Sequence, residues 1–141
     1  MKKTVLLILM VCISIPVLIN AADPQPARIK AKELKHLMDN NEEFLLIDSR
    51  DSGRYGAGHI KGSANIHYDP SGDPNMRNMT LMALPMDKPV IIYGDGEDEE
   101  TAAAMAMELY DMGCDMDKLK ILSGGIAQWK KQGYPLIKAG E

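Results

Sequence analysis

Short apolar runs alternate with amphipathic stretches along this chain, and the alternation predicts strands and helices in turn. Runs with the length and apolar character of buried strands occur at residues 44–47, 63–66, 90–93 and 119–122. Stretches with helical spacing or helix-end signals occur at residues 31–39, 76–86, 101–112 and 124–133. Among these, the methionine-rich stretch 76–86 is either a helix or an irregular connection.

The run 90–93 gives the strongest strand signal because it is apolar on both faces, as in a central parallel strand covered by helices. Alternating elements of this length predict an α/β fold, a doubly wound parallel sheet of about five strands with helices on both faces. In such a sheet, sites form in loops at the carboxyl ends of strands. The loop after Tyr93 is therefore the first candidate site.

The first 22 residues have the pattern of a secretory signal peptide. Lys2 and Lys3 precede an apolar run over residues 5–19, and the small residues Ala21 and Ala22 follow it. The run is shorter than the ~20 residues that a membrane helix needs. We therefore expect cleavage near residue 22, a mature domain over residues 23–141 without a membrane anchor, and a periplasmic or secreted location.

Charge and cysteine content narrow the function classes. The chain carries a formal net charge of −4, and loss of Lys2 and Lys3 would make it more acidic. No basic run or aromatic-basic patch is present, so a nucleic-acid partner is not expected. Beyond residue 22, Cys114 is the one cysteine, and an intramolecular disulfide is impossible. We expect a monomer that is stabilised by packing and needs no cofactor.

Several longer motifs, in the same order as in a known family, carry a resemblance. They are Leu46–Arg50, Tyr55, Gly58–Ile66, Pro89–Tyr93 and Leu122–Ile126, with Trp129, Gly133 and Pro135 after them. Together they resemble the rhodanese family over roughly residues 27–136. The resemblance implies the rhodanese-like version of the parallel α/β fold.

The resemblance also implies where a catalytic cysteine would stand. In that family the residue after the central strand is a cysteine, whose thiolate takes up sulfur as a persulfide, and here the corresponding residue is Gly94. The slightly longer loop resembles that of rhodanese-like phosphatases, which also need a cysteine and an arginine that this loop lacks. The resemblance thus favours a protein without catalysis at this position.

The loop itself is acidic. It reads Gly94, Asp95, Gly96, Glu97, Asp98, Glu99, Glu100 and Thr101. Acids in a first helical turn favour the helix dipole, and Asp98 could cap the helix. Yet capping needs only one or two acids, and the rest predict a surface that binds a basic protein partner or a cation. Calcium suits carboxylate oxygens, but the string lacks EF-hand ligand spacing and predicts no defined metal site.

Together, the leader pattern, the family resemblance and the acidic loop predict an exported, non-catalytic rhodanese-like module that binds or regulates through the 94–101 loop. The alternatives are a sulfurtransferase that uses an unexpected thiol, a hydrolase that uses the carboxylates, and a cation-binding module. Cys114 stands at the far end of the helix after the loop, where we expect a buried apolar residue.

Other polar residues have structural interpretations that compete with functional ones. Asp48 and Arg50 follow a buried strand and border the expected pocket, and an internal polar network is the favoured role for them. His59 is interpreted as architectural, and His36 and His67 as surface or boundary residues.

Trp129 is expected to anchor the last helix in the core. Met76, Met79 and Met82 recur at helical spacing, and we expect core packing rather than copper binding, although methionine can ligate soft metals.

Overall fold

The computed structural model describes residues 23–96 and 99–140. Strands and helices alternate through both ranges. In chain order they are β1 (Ala27–Ile29), α1 (Ala31–Asp39), β2 (Leu45–Asp48), α2 (Ser52–Ala57), β3 (Ala64–Asn65), α3 (Pro74–Met82), β4 (Val90–Tyr93), α4 (Glu100–Asp111), β5 (Leu119–Leu122) and α5 (Gly125–Lys131). A short 3₁₀ turn, Met116–Lys118, leads into β5.

The five strands form one sheet in the order β1-β5-β4-β2-β3, and every neighbouring pair is parallel. The most apolar strand, β4, lies in the middle, between β5 and β2. The predicted α/β fold with a doubly wound parallel sheet is confirmed. Because all strands point the same way, their carboxyl ends share one edge of the sheet.

Neighbouring strand residues face opposite sides of the sheet, and this alternation builds two apolar clusters. Ile47 of β2 packs in one cluster with Leu81 of α3 and with side chains of α4. Leu46 packs in the other with Leu34 of α1 and Trp129 of α5. Full burial of one such side chain contributes about 1.5–3 kcal/mol. The two clusters therefore hold helices against both faces of the sheet.

Trp129 anchors the last helix, as predicted. Its side chain is buried, and its indole Nε1–H donates a hydrogen bond of 2.9 Å to the carbonyl oxygen of Pro135. Tyr134 contacts the indole edge-on, with ring centroids 4.8 Å apart. The contacts join α5 to the segment that follows it.

The expectation that Met76, Met79 and Met82 pack in the core is wrong. Their side chains are 67%, 70% and 73% exposed. The helix does form, as α3, but it contacts the rest of the domain through Leu81, which is fully buried, and Arg77, which reaches α4. The methionines consequently lie on the outer side.

Two elements escaped the sequence pattern. β1 has only three residues, and α2 contains two glycines and begins after an Asp51 carboxylate that accepts a hydrogen bond of 3.0 Å from the Arg54 amide.

The signal-peptide prediction concerns residues 1–22, which lie outside the described ranges. Among the helices that the structure describes, none is long and apolar enough to cross a membrane.

Candidate functional site

The loop after β4 is fastened to the start of α5 by backbone hydrogen bonds. The Gly94 carbonyl accepts from the Ile126 amide at 3.0 Å, and the Asp95 carbonyl accepts from the Ala127 amide at 2.9 Å. Both carbonyls follow the central strand directly, at the edge where the strand ends gather. The first turn of α5 thus closes one side of the candidate site.

This close approach requires glycine at position 125. Gly125 has φ +52°, in the left-handed region that disfavours residues with a Cβ atom. A Cβ atom there would lie 2.5 Å from the Gly94 carbonyl oxygen and 3.0 Å from the Gly96 nitrogen. Because these are backbone atoms, no side-chain rotation could relieve the overlap. The Gly124-Gly125 pair is therefore part of the architecture of the loop.

Two hydroxyl groups occupy the space beside Gly94, which is buried. A Cβ atom on Gly94 would lie 2.9 Å from Thr101 Oγ1 and 3.5 Å from Ser49 Oγ. The two hydroxyls are hydrogen-bonded to each other at 3.0 Å, and Ser49 Oγ also donates to the Tyr93 carbonyl at 3.0 Å. The sequence analysis missed Ser49, although its place after the buried strand β2 was a usable signal. This hydroxyl pair crosses from β2 to α4 directly at the loop.

Two acids of the loop, Asp95 and Glu99, have cationic partners within the chain. Asp95 forms an ion pair with Arg54, which also contacts Asp51. Glu99 binds Arg28 of β1 at 2.9 Å and accepts from the Gly124 amide at 3.2 Å. The two ends of the acidic loop are therefore tied down by ion pairs.

Helix α4 begins at Glu100, and Glu99 at its N-cap makes no side-chain capping hydrogen bond. The interpretation of Asp98 as a helix cap, and the placement of Glu97 in the predicted binding loop, fall on residues outside the described ranges. Gly96 and Thr101 lie at the two sides of that gap, and both are half-buried.

Asp48 and Arg50 form a buried ion pair below the loop. Arg50 Nη2 donates to Asp48 Oδ2 at 2.6 Å and to the Gly58 carbonyl at 2.8 Å. Burial lowers the pKa of the Arg50 guanidinium, but hydrogen bonding and charge attraction from Asp48 outweigh burial and leave that pKa raised. Arg50 also lines a groove together with Arg54 and Lys130, whereas Asp48 is fully buried.

A second polar network surrounds the Tyr93 hydroxyl. This oxygen accepts from the Ile60 amide at 3.1 Å and is hydrogen-bonded to Ser63 Oγ at 3.0 Å. Burial, with a further contribution from the Asp48 charge, raises the pKa of Tyr93. His59 is buried and stacks on the Tyr55 ring with centroids 3.8 Å apart. These contacts join β4 to the segment after α2 and give His59 structural partners.

Cys114 lies in the apolar cluster beneath α4, with 3% of its surface exposed. Burial raises the pKa of its thiol. The twelve residues of α4 separate it from the loop, a rise of about 18 Å at 1.5 Å per residue. The structure therefore does not bring this thiol to the loop. Across residues 23–96 and 99–140, no three His, Cys, Asp or Glu side chains are grouped so that they could hold a metal ion.

Comparison with known proteins identifies the family and the fold that this chain shares with them. Residues 30–132 match the rhodanese-like domain family. A protein of Bacillus halodurans superposes with a TM-score of 0.69 at 22% identity, over 79% of this chain and 77% of that one. The rhodanese-like domain of an Anabaena protein gives 0.63 at 24% identity, over 83% and 80%.

A 3-mercaptopyruvate sulfotransferase of Escherichia coli also gives a TM-score of 0.63, at 22% identity, over 82% of this chain and 52% of that one. At these identities the solved structures establish the shared fold alone. No curated protein matches the sequence.

Proposed function

The chain belongs to the rhodanese-like domain family, and we propose that it is a non-catalytic member that binds a basic protein partner through the 94–101 loop. The observation that carries the proposal is Gly94, which follows the central strand β4 without a side chain. In the family resemblance, this is the position of the sulfur-carrying cysteine. A glycine there can accept neither sulfur nor phosphate.

The packing around Gly94 supports this proposal. Ser49 Oγ and Thr101 Oγ1 stand where a larger residue at position 94 would need room, and the Thr101 contact would be only 2.9 Å. A side chain at this position would have to displace a hydrogen-bonded hydroxyl pair. The Thr101 hydroxyl would therefore have to shift to admit any side chain at position 94.

The charge of the loop supports a basic partner. Five of the six residues from 95 to 100 are carboxylates. Arg54 and Arg28 pair with Asp95 and Glu99, at the two ends. These pairs fix the loop ends, while Glu97 and Asp98 between them add further negative charge. A loop of this charge repels anions such as thiosulfate and attracts cationic side chains.

A sulfurtransferase that works through Cys114 has less support. A reactive thiol needs access and a lowered pKa, whereas Cys114 is buried and burial raises its pKa. The proposal also includes export, which rests on the sequence pattern of residues 1–22. Mass spectrometry of the protein purified from its native host would test export through loss of that segment.

Sulfur transfer from thiosulfate to cyanide is the direct test for catalysis. We expect wild-type protein and Cys114→Ser to give the same background rate. Activity above background that disappears in Cys114→Ser would refute the non-catalytic assignment. Gly94→Cys should not restore normal activity, because the neighbouring carboxylates raise the pKa of an introduced thiol and repel its anionic donor.

Partner recognition can be tested with a lysine-rich peptide of defined sequence, titrated at low salt. The loop variant Glu97→Gln/Asp98→Asn should bind it several times more weakly than wild type, because the peptide loses two attractive charges. Glu42→Gln/Asp117→Asn removes two exposed acids elsewhere and is the charge-matched control. Equal weakening in both variants would mean that binding depends on the net charge of the protein and not on the loop. Unchanged binding in both would reject the loop as the recognition surface.

A further inference from the structure

The outer side of α3 exposes three thioether side chains to solvent. Met76, Met79 and Met82 are each about two-thirds exposed or more, and in the described part of the chain only Tyr110 joins them as an exposed large hydrophobic residue. The three recur at every third position of one helix. We refer to Met76, Met79 and Met82 as the methionine face.

The other methionines in residues 23–96 and 99–140 are shielded to different degrees. Met105 of α4 is fully buried in the apolar cluster on its face of the sheet, and Met107 on the same helix is half-buried. Half-buried methionines that pack against one of the two clusters are Met38, Met86, Met112 and Met116. The described thioethers therefore fall into an accessible set on α3 and a shielded set in and around the core.

Strong contacts on the opposite side of α3 keep the methionine face turned outward. The Arg77 guanidinium donates to both carboxylate oxygens of Glu108, at 2.7 and 2.6 Å, and to the Asp69 carbonyl at 2.9 Å. It also lies 4.7 Å from the centroid of the Tyr68 ring. Together with the buried Leu81, these contacts hold α3 on the domain without the use of any sulfur atom.

An accessible thioether reacts with peroxides. The sulfur lone pair attacks one peroxide oxygen, an S–O bond forms as the O–O bond breaks, and the proton on the transferred oxygen passes to the departing hydroxide to give water. Sulfur is oxidised by two electrons and the peroxide is reduced by two. The product, methionine sulfoxide, is more polar than methionine and is returned to it by methionine sulfoxide reductases.

Position decides what a sulfoxide does to the fold. On the methionine face its oxygen points to water, so the added polarity requires no buried hydrogen-bond partner. At Met105 the same oxygen would lie in an apolar cluster, where an unpaired polar group is unfavourable. The outer side of α3 can therefore change its chemistry while the packing beneath it stays the same.

We propose that the methionine face is a reversible oxidation site, at which peroxides convert Met76, Met79 and Met82 to sulfoxides in the folded protein. These three react before the other methionines that the structure describes and before the buried Cys114 thiol. Oxidation changes the outer side of α3 from apolar to polar and leaves the fold intact. The site is separate from the 94–101 loop and does not depend on the function proposed for it.

Graded oxidation of the folded protein with hydrogen peroxide tests the order of reaction, with peptide mass spectrometry to locate each sulfoxide. We expect sulfoxide at each position of the methionine face to form about tenfold faster or more than at Met105. Protein that carries the three sulfoxides should unfold in urea at the same midpoint as untreated protein. Both stereospecific classes of methionine sulfoxide reductase, with a thiol reductant, should return it to its original mass.

Two leucine variants supply the matched comparison. Met76→Leu/Met79→Leu/Met82→Leu keeps an apolar surface and should take up three fewer oxygen atoms than wild type in the early phase. Met38→Leu/Met86→Leu/Met112→Leu changes three half-buried methionines elsewhere and should match wild type in that phase. The order of reaction within wild type needs neither variant, so it remains informative if one of them folds poorly.

Several results would overturn the proposal. One is sulfoxide formation at the half-buried methionines as fast as on the methionine face. A second is loss of cooperative unfolding once the three sulfoxides have formed, and a third is failure of the reductases to act on the folded, oxidised protein. Protection of the face at high protein concentration that disappears on dilution would also count against it, because another copy of the chain would then cover the face.

Discussion

The loop after β4 and the exposed methionines of α3 differ in which part of the residue is distinctive, the backbone or the side chain. At the loop, the backbone determines the structure: Gly125 approaches the Gly94 carbonyl so closely that a Cβ atom would lie 2.5 Å away. On α3 the backbone is ordinary helix, and the side chains carry the distinctive chemistry, with three exposed thioethers.

The difference shows how one fold can carry different residues at a site. The architecture of the loop in this chain depends on glycines, hydroxyls and backbone hydrogen bonds, none of which needs a nucleophile. Chemistry is carried by individual side chains placed on that architecture. Gly94 can therefore stand where the family resemblance implies a cysteine while the sheet and both apolar clusters remain complete. The following predictions test this contrast, from the largest expected effect to the smallest.

Gly125→Ala should lower the free energy of unfolding by about 3–5 kcal/mol, because it combines an unfavourable left-handed conformation with overlap against backbone atoms. Urea denaturation measures the loss. Gly62→Ala is the matched control, since Gly62 also has positive φ, +83°, but a Cβ atom there meets nothing within 4 Å. We expect about 1 kcal/mol for the control. Equal losses at the two positions would mean that the close approach is unimportant.

Arg77→Gln should cost about 2 kcal/mol, because it removes a partly buried bidentate pair with Glu108. Arg54→Gln, at the exposed ion pair with Asp95, should cost less than about 1 kcal/mol, and added salt should reduce that cost further. Thermal and urea unfolding at low and high salt compare the two. If Arg54→Gln proved the more damaging, the exposed ion pair at the loop would contribute more to stability than the partly buried pair between α3 and α4.

Gly94→Ala should destabilise the protein by about 1–2 kcal/mol through crowding against Thr101 Oγ1. Thr101→Ala should cost about 1 kcal/mol through loss of the hydrogen bond to Ser49. The double variant should lose less stability than the sum of the two single losses, because removing the hydroxyl makes room for the methyl group. A double-mutant cycle measures this coupling. Simple additivity would show that the two groups do not meet.

Cys114 gives a pH-dependent test of the thiol that remains. An unfolded thiol has a pKa of about 8.5, and burial raises the pKa in the folded chain. Above about pH 8.5 the unfolded state therefore binds fewer protons than the native state, and stability falls as pH rises toward the folded pKa. Urea unfolding from pH 8 to 10 should show a steeper decline for wild type than for Cys114→Ala. Parallel declines would mean that the thiol is not protected.

Replacing Met76, Met79 and Met82 with leucine together should change the free energy of unfolding by no more than about 0.5 kcal/mol, because surface substitutions away from packed contacts have small effects. The same experiment on Leu81→Ala, one helix position away and fully buried, should show a loss of about 2–5 kcal/mol. A large loss of stability in the triple leucine variant would mean that the three methionines pack against other parts of the chain, contrary to their exposure.

Local pattern was sufficient to predict most of the sheet and its central strand, because the runs that became β2, β4 and β5 are almost wholly apolar. It could not reveal β1, whose three residues acquire their meaning only by pairing with β5. At the site, Gly94 was identifiable from its place after the strand. The partners of the acids were not, since Arg28 and Glu99 are 71 residues apart in sequence.

The methionines show a different limit. Spacing by three predicts a helix and a shared side, but it does not say which side faces the sheet. Leu81 and Arg77, four residues apart, lie on the same side of α3, and burial of Leu81 together with the partly buried contact of Arg77 with Glu108 turns that side toward the domain. Hydropathy alone would have buried the methionines, because it assigns Arg77 to solvent and overlooks the apolar stem and ring contact that accompany its ion pair.

The pairing of β1 with β5 also determines when the sheet can be completed. Ala27 lies opposite Lys120, so among the described strands the first to be synthesised gains its partner only when the last has been made. Contacts between such distant residues carry a high loop-closure cost and slow the folding of a domain. Until β5 is synthesised, the backbone groups of residues 27–29 have no strand partner in the sheet.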